Sequence, residues 1–333
     1  MNVTPSMRRA LGASLPDGGA LLTGPEMAEA VLEPLAATGA LAGRVLIRHE
    51  VRAVGRAGLT RMDFAGHPLR AERPFRILAG AHGADRVFEA DVVCDASGVS
   101  GANPVGAGGL PAPGESAVEA GIIRDLGTLH DRLEILAGRR ILLVGHGHSA
   151  ATAIVQLTEL AHAAPGTRVT WAVRSFNRRP CLEVSGDPLP ERGRVASGAN
   201  DLAAQPPPFL TVHRRASVER LTQVGGAIAV SFSAGREGVF DAVVSLTGYR
   251  PDLKILAELA VEISPVTEGA ARLSRALANV TDCLSVPAVA ARDLASGEPG
   301  FFLAGAKSYG RARTFLLQTG FAQLQTLLDG MSP

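Results

Sequence analysis

The chain has 333 residues, 46% of them hydrophobic, and a formal net charge of +1 at pH 7. That length accommodates two domains with sizeable cores. A charge near zero gives no reason to expect nucleic acid or an anionic membrane as partner, and no apolar run approaches the roughly 18 residues of a membrane span.

The first 23 residues carry Gly, Pro and Ser with little periodicity and read as irregular. They lack the continuous apolar run of a signal peptide, so the cytoplasm is the expected compartment. Pro25, at a first helical position, opens an expected helix over 24–41, with Gly39 near its end. Residues 45–54 and 74–80 read as strands, and 85–98 as one short strand ending in a turn. The Gly/Pro-rich stretch 98–115 is the best linker candidate. Beyond it the pattern becomes strand (139–145), helix (148–163), strand (167–174). An Arg-, Pro- and Gly-rich stretch from Ser175 to Pro208 reads as a long substrate or cofactor loop. Further strands and turns follow; residues 253–263 begin helically, 300–305 form a strand and 314–330 a closing helix. Alternating strands and helices point to an α/β protein with parallel sheets covered by helices.

Cys94, Cys181 and Cys283 are odd in number and far apart, so neither a disulfide framework nor a zinc ribbon is indicated. The chain holds only two lysines, Lys254 and Lys307, among many arginines. Lys307 therefore stands out. Asp91, Asp95 and Asp241, each at a strand end, read as structural carboxylates.

The chemistry-bearing motif is Gly145-His146-Gly147-His148-Ser149-Ala150, which fits GxGxxA between a strand and a helix. The first glycine permits the tight turn and the second lets backbone approach a pyrophosphate. The small third residue lets helix and strand pack closely. The helix amino terminus then offers N–H groups to the phosphates. His146 and His148 lack a third ligand at sensible spacing, so they read as loop residues rather than a metal site.

The end of the second strand discriminates between coenzymes. An acidic residue there would accept a ribose 2′-hydroxyl, whereas arginine favours a 2′-phosphate. The sequence gives Arg174, then Arg178 and Arg179, with no carboxylate between Arg168 and Arg179. NADP(H) is the expected coenzyme; a solvated arginine cluster is the bland alternative.

Four segments, DVVCDASG (91–98), RRILLVGHGHSA (139–150), FDAVVSLTGYRPD (240–252) and PGFFLAGAKSYGRARTFLLQTGFAQ (299–323), together resemble the FAD- and NAD(P)-dependent pyridine-nucleotide oxidoreductases. The likeness is to their flavoprotein monooxygenase-like branch. It implies a Rossmann-like NAD(P)-binding domain, 114–250, inserted in a FAD-binding-type α/β domain made of 1–113 and 251–333. In that arrangement Gly98 and Gly248 mark the crossings between domains, and Gly305 with Lys307 lies near the flavin.

Two departures set this chain apart from the family. No glycine-rich strand–helix unit precedes Gly145, and Ala306 and Lys307 follow Gly305 where many members carry an aspartate for the flavin ribityl chain. The implied FAD-type domain is thus incomplete, and FAD is expected to bind weakly or not at all. The leading expectation is an NADPH-dependent, monooxygenase-like flavoprotein oxidoreductase, acting on a small-molecule substrate and inactive alone if truncated. The alternative is a non-catalytic NADP(H)-binding or sensor protein that has lost its flavin site. The missing CxxC argues against the dithiol reductases.

Overall fold

The structure is a computed structural model and describes residues 3–12, 15–16, 20, 22–81, 83–185, 187 and 189–331. The chain divides into two units, Gly101–Tyr249 and a second composed of Met1–Ser100 with Arg250–Pro333.

The Gly101–Tyr249 unit is built on a five-stranded parallel sheet. Its spatial order is Ile122–Ile123, Ala242–Ser245, Arg140–Val144, Arg168–Val173, Leu210–Arg214. Residues along one strand alternate between faces, yet Ile141, Leu142, Leu143 and Val144 are all buried. Both faces are covered, which is why these strands read as continuous apolar runs. On one face Ile141, Leu143 and Trp171 pack with Ala150, Ile154 and Leu157 of the helix His148–Ala163. On the other, Leu142, Val144 and Ala172 meet Val218, Ile228, Val230 and Phe240 of an antiparallel three-stranded sheet.

The stretch 175–208 is not one long loop. Pro190–Ala204 is a helix, with Pro190 in its first turn and Ala196, Ala199, Asn200 and Ala203 buried at helical spacing. Its apolar stripe consists of small residues, so it carried little hydrophobic signal. The supposed linker is also packed. Val105 and Ala112 belong to the core, and the buried Glu115 carboxylate accepts from Val105 N and Ala112 N and from Arg124.

The other unit holds an antiparallel sheet of His49–Arg56, Phe75–Ala81 and Ala84–Ala90, and a parallel pair, Val93–Asp95 with Phe301–Leu303. Three sequence readings are corrected here. The first strand starts at His49 rather than Val45, because Arg48 adopts a left-handed backbone (φ 57°) that breaks the extended run. Residues 85–98 form two strands, since the chain leaves one sheet after Ala90 and joins another at Val93. Pro5–Leu11, within the stretch expected to be irregular, is a helix capped by the Thr4 side chain on Met7 N.

The core of this unit gathers Val54, Phe75, Leu259, Leu273, Phe301 and Leu303. Beside it lies a buried ionic triad in which Glu298 binds both Arg56 and Arg70, with side chains at most 1% exposed. Burying charge is costly unless every lone pair and proton is matched. Here Ala260 N donates to Glu298, Arg56 reaches Arg73 O, and Arg70 reaches Thr60 O and Asp63 O. Among the described residues no helix is long and apolar enough to cross a membrane.

Candidate functional site

The glycine turn joins the middle strand of the parallel sheet to its covering helix. Gly145 has φ 126°, and a Cβ placed on it would lie 2.3 Å from Leu246 O of the neighbouring chain segment. Only glycine fits. Its carbonyl accepts from Trp171 Nε1 at 2.7 Å, which pins the turn to the adjacent strand. Gly147 is the opposite case. Its φ of −79° suits any residue, and a Cβ there would meet nothing within 4 Å. The space above it is open.

Gly147 is the N-cap of the 16-residue helix His148–Ala163, and no side chain caps that helix. An uncapped amino terminus presents backbone N–H groups and the positive end of the helix dipole to an anion. Ser149 lies in the first turn, while Ala150 is fully buried against the strand, as the small third residue of the motif requires. His148 is exposed. Asp187 lies near enough that His148 helps to hold its carboxyl low, although the hydrogen bond from Arg192 is the main cause.

The three arginines after the second strand separate into two kinds. Arg174 follows the strand directly, is exposed, and makes no hydrogen bond or ion pair among the described residues. Arg178 donates to Ala204 O, and Arg179 pairs with Asp201 at 2.6 Å and Glu183 at 2.8 Å. These two brace the loop against the helix Pro190–Ala204. Sequence reasoning missed their neighbours Arg214 and Arg215, at the end of the next strand. Arg214 donates to Asn177 O, Arg178 O and Ala203 O, holding the same loop from the other side.

Gly248 has φ 102°, and its carbonyl accepts from Asn103 N. In the other unit, Gly98 (φ 77°) and Gly305 (φ 61°) follow the two parallel strands, and neither would bring a Cβ within 4 Å of a neighbour. Lys307 is buried, its ammonium 2.6 Å from Asp95 and 3.0 Å from Ser97 Oγ. Asp95 also accepts from Ser97 N and Oγ, so it fixes its own turn. Asp241 accepts from Arg140 N and pairs with the Arg140 guanidinium.

The described residues of this unit do not fit a flavin dinucleotide held through its pyrophosphate. Among the described residues no glycine turn joins a strand to a helix before Gly145. The Gly305 amide, which opens the five-residue helix Gly305–Tyr309, donates to Gln323 Oε1 instead of pointing to an anion. Lys307 is engaged by Asp95 and Ser97. Open space beside Gly98 and Gly305 leaves room for a ring without supplying a phosphate cradle.

No family model matches the chain, and no curated protein matches it in sequence. Solved structures do match it. A bacillithiol disulfide reductase from Bacillus cereus superposes with TM-score 0.58 at 18% identity, covering 95% of this chain and 83% of that one. A thioredoxin reductase from T. acidophilum gives 0.57 at 17%, covering 97% and 87%. An engineered water-forming NADPH oxidase with NADPH bound gives 0.50 at 17%, covering 85% and 52%. With the parallel sheet and its helices, these matches show that the chain has a mixed α/β fold similar to that of these reductases.

Proposed function

We propose that this chain is an NADP(H)-dependent oxidoreductase whose coenzyme lies across the Gly145–Ala150 turn. The observation that carries the reading is the open Gly147 at the uncapped amino terminus of a long helix, between two parallel strands. The pyrophosphate accepts hydrogen bonds from backbone N–H groups of that first turn, and the adenosine ribose lies at the end of the strand Arg168–Val173. There Arg174 meets a 2′-phosphate, and no Asp or Glu stands between Arg168 and Arg179 to take a 2′-hydroxyl. The chain's own work is to bind and orient the coenzyme.

FAD, where present, would accept hydride from the nicotinamide, but the residues described here do not hold it by its pyrophosphate. Disulfide reduction by a cysteine pair of its own has little support. The three cysteines are far apart in sequence, and burial pushes the Cys181 thiol up to about 11, which disfavours the reactive thiolate. Nothing in the site favours a monooxygenase over a reductase or an oxidase.

A second reading, a non-catalytic NADP(H)-binding or sensor protein, is favoured by the internal use of the Gly305 amide and of Lys307. NADPH oxidation by the purified chain, followed with and without added FAD, separates the two. Turnover that depends on added flavin supports the oxidoreductase. Tight NADPH binding with no turnover under either condition supports the sensor.

A further inference from the structure

We propose that Arg215 is the second cation of the coenzyme's 2′-phosphate site and that Phe176 is the face on which the adenine stacks. This rests on the NADP(H) reading of the glycine turn. The argument starts from register. The strands Arg168–Val173 and Leu210–Arg214 run parallel with Val173 opposite Arg214, so Arg174 and Arg215 emerge side by side where the strands end. Two backbone bonds lock that placement, from Arg215 N to Ser175 O at 3.2 Å and from Ala216 N to Val173 O at 3.1 Å.

The chain bends sharply here. Arg215 takes a left-handed backbone (φ 51°), an uncommon state for a non-glycine residue. The bend leaves Ala216 buried and the Arg215 side chain exposed. The Arg215 guanidinium lies 5.7 Å from the centre of the Phe176 ring, and that ring is 70% exposed. The exposed ring thus offers a flat apolar surface beside the two strand ends.

The loop is held firmly by groups that do not face the proposed ligand. Arg214 grips Asn177 O, Arg178 O and Ala203 O, Arg178 grips Ala204 O, and Arg179 is paired with Asp201 and Glu183. Among the described residues the Arg174 and Arg215 guanidinium groups make no hydrogen bond or ion pair, and the Phe176 ring, with Arg215 over it, stays 70% exposed. A phosphate monoester takes paired guanidinium groups well, because each offers a planar fork of donors. A purine stacks on an aromatic ring whatever its sugar carries.

The two residues therefore predict different signatures. Arg215→Ala acts only on the coenzyme that has a 2′-phosphate, whereas Phe176→Ala acts on both. Calorimetric titration with NADPH and NADH reads this directly, with Gly147→Val as the control for the turn itself. Both replaced side chains are exposed, and circular dichroism checks that each variant is folded.

The expected result is a loss of NADPH affinity of tenfold or more in Arg215→Ala, with NADH within twofold of wild type. Arg215→Lys, which keeps the charge and loses the fork, should recover part of the loss. Phe176→Ala should weaken both coenzymes by a similar factor, fivefold or more. Equal losses for both coenzymes in Arg215→Ala, or unchanged NADPH affinity, would overturn the assignment of Arg215 while the glycine-turn reading stands on the Gly147→Val control. Wild-type protein that binds neither coenzyme would overturn both.

Discussion

Leu246 places its carbonyl oxygen 2.3 Å from where a Cβ on Gly145 would stand, whereas Gly147, two residues on, faces open space. The two glycines of one motif thus have different tasks. Gly145→Ala would force the backbone of one of two adjacent segments to move and would also strain a φ of 126°. It should destabilise the Gly101–Tyr249 unit by about 1–3 kcal/mol, read as a lowered urea midpoint. Gly147→Val should leave that midpoint nearly unchanged.

Coenzyme preference separates the arginines. Arg174→Ala should cost NADPH about 1.5–3 kcal/mol of binding, the worth of a hydrogen bond to a charged group, and spare NADH. Arg179→Ala breaks ion pairs to Asp201 and Glu183 and should affect both coenzymes slightly and alike. A larger, NADPH-selective loss from Arg179→Ala than from Arg174→Ala would contradict the assignment.

Much of this was legible in the sequence. The run RILLVG followed by HSAATAIVQL declared a covered parallel strand, a tight turn and a helix, because burial on both faces leaves no polar alternation. The helix Pro190–Ala204 was not legible, since its buried stripe is Ala and Asn rather than Leu or Ile. Arg215 was missed for another reason. Its neighbour Arg174 is 41 residues away in the chain, and only the parallel register between strands brings them together. Local spacing suggested Arg178 and Arg179 instead, and these turn back onto the helix.

The buried triad makes a test of stability in the other unit. Glu298→Gln removes the carboxylate that pairs with both Arg56 and Arg70, leaving two buried cations without that ion pair. Breaking a buried pair in this way costs about 3–5 kcal/mol, and chemical denaturation should show it. A loss below about 1 kcal/mol would mean that water reaches the site.

Acid should weaken the anchor of the parallel sheet. Asp241 is held below its ordinary value of 3.8, first by its side-chain hydrogen bond with Arg140, then by the Arg140 amide and the nearby positive charges. A carboxylate with a depressed folded pKa stabilises the fold above its unfolded pKa, and that contribution fades as pH falls through the folded value. Asp241→Asn should therefore lower the melting temperature near neutral pH, by an amount equivalent to about 0.5–1 kcal/mol for a partly exposed pair. The gap to wild type should close only below about pH 3.8. A gap that persists unchanged at lower pH would exclude the ion pair as its source.

The flavin question has its own readout. The protein should pass through gel filtration without a visible flavin spectrum, because the Gly305 amide and Lys307 are engaged within the protein and, among the described residues, no glycine turn joins a strand to a helix before Gly145. Stoichiometric retained FAD would mean that its pyrophosphate is held by groups other than a glycine turn.

The central claim is that the Gly145–Ala150 turn binds NADP(H), and a calorimetric titration of NADPH into wild-type and Gly147→Val protein tests it most directly. The account predicts saturable binding to wild type, weaker binding of NADH, and a loss of NADPH affinity of more than tenfold in a Gly147→Val variant that remains folded. Equal NADPH affinity in the two folded proteins would contradict it and remove the coenzyme from this turn.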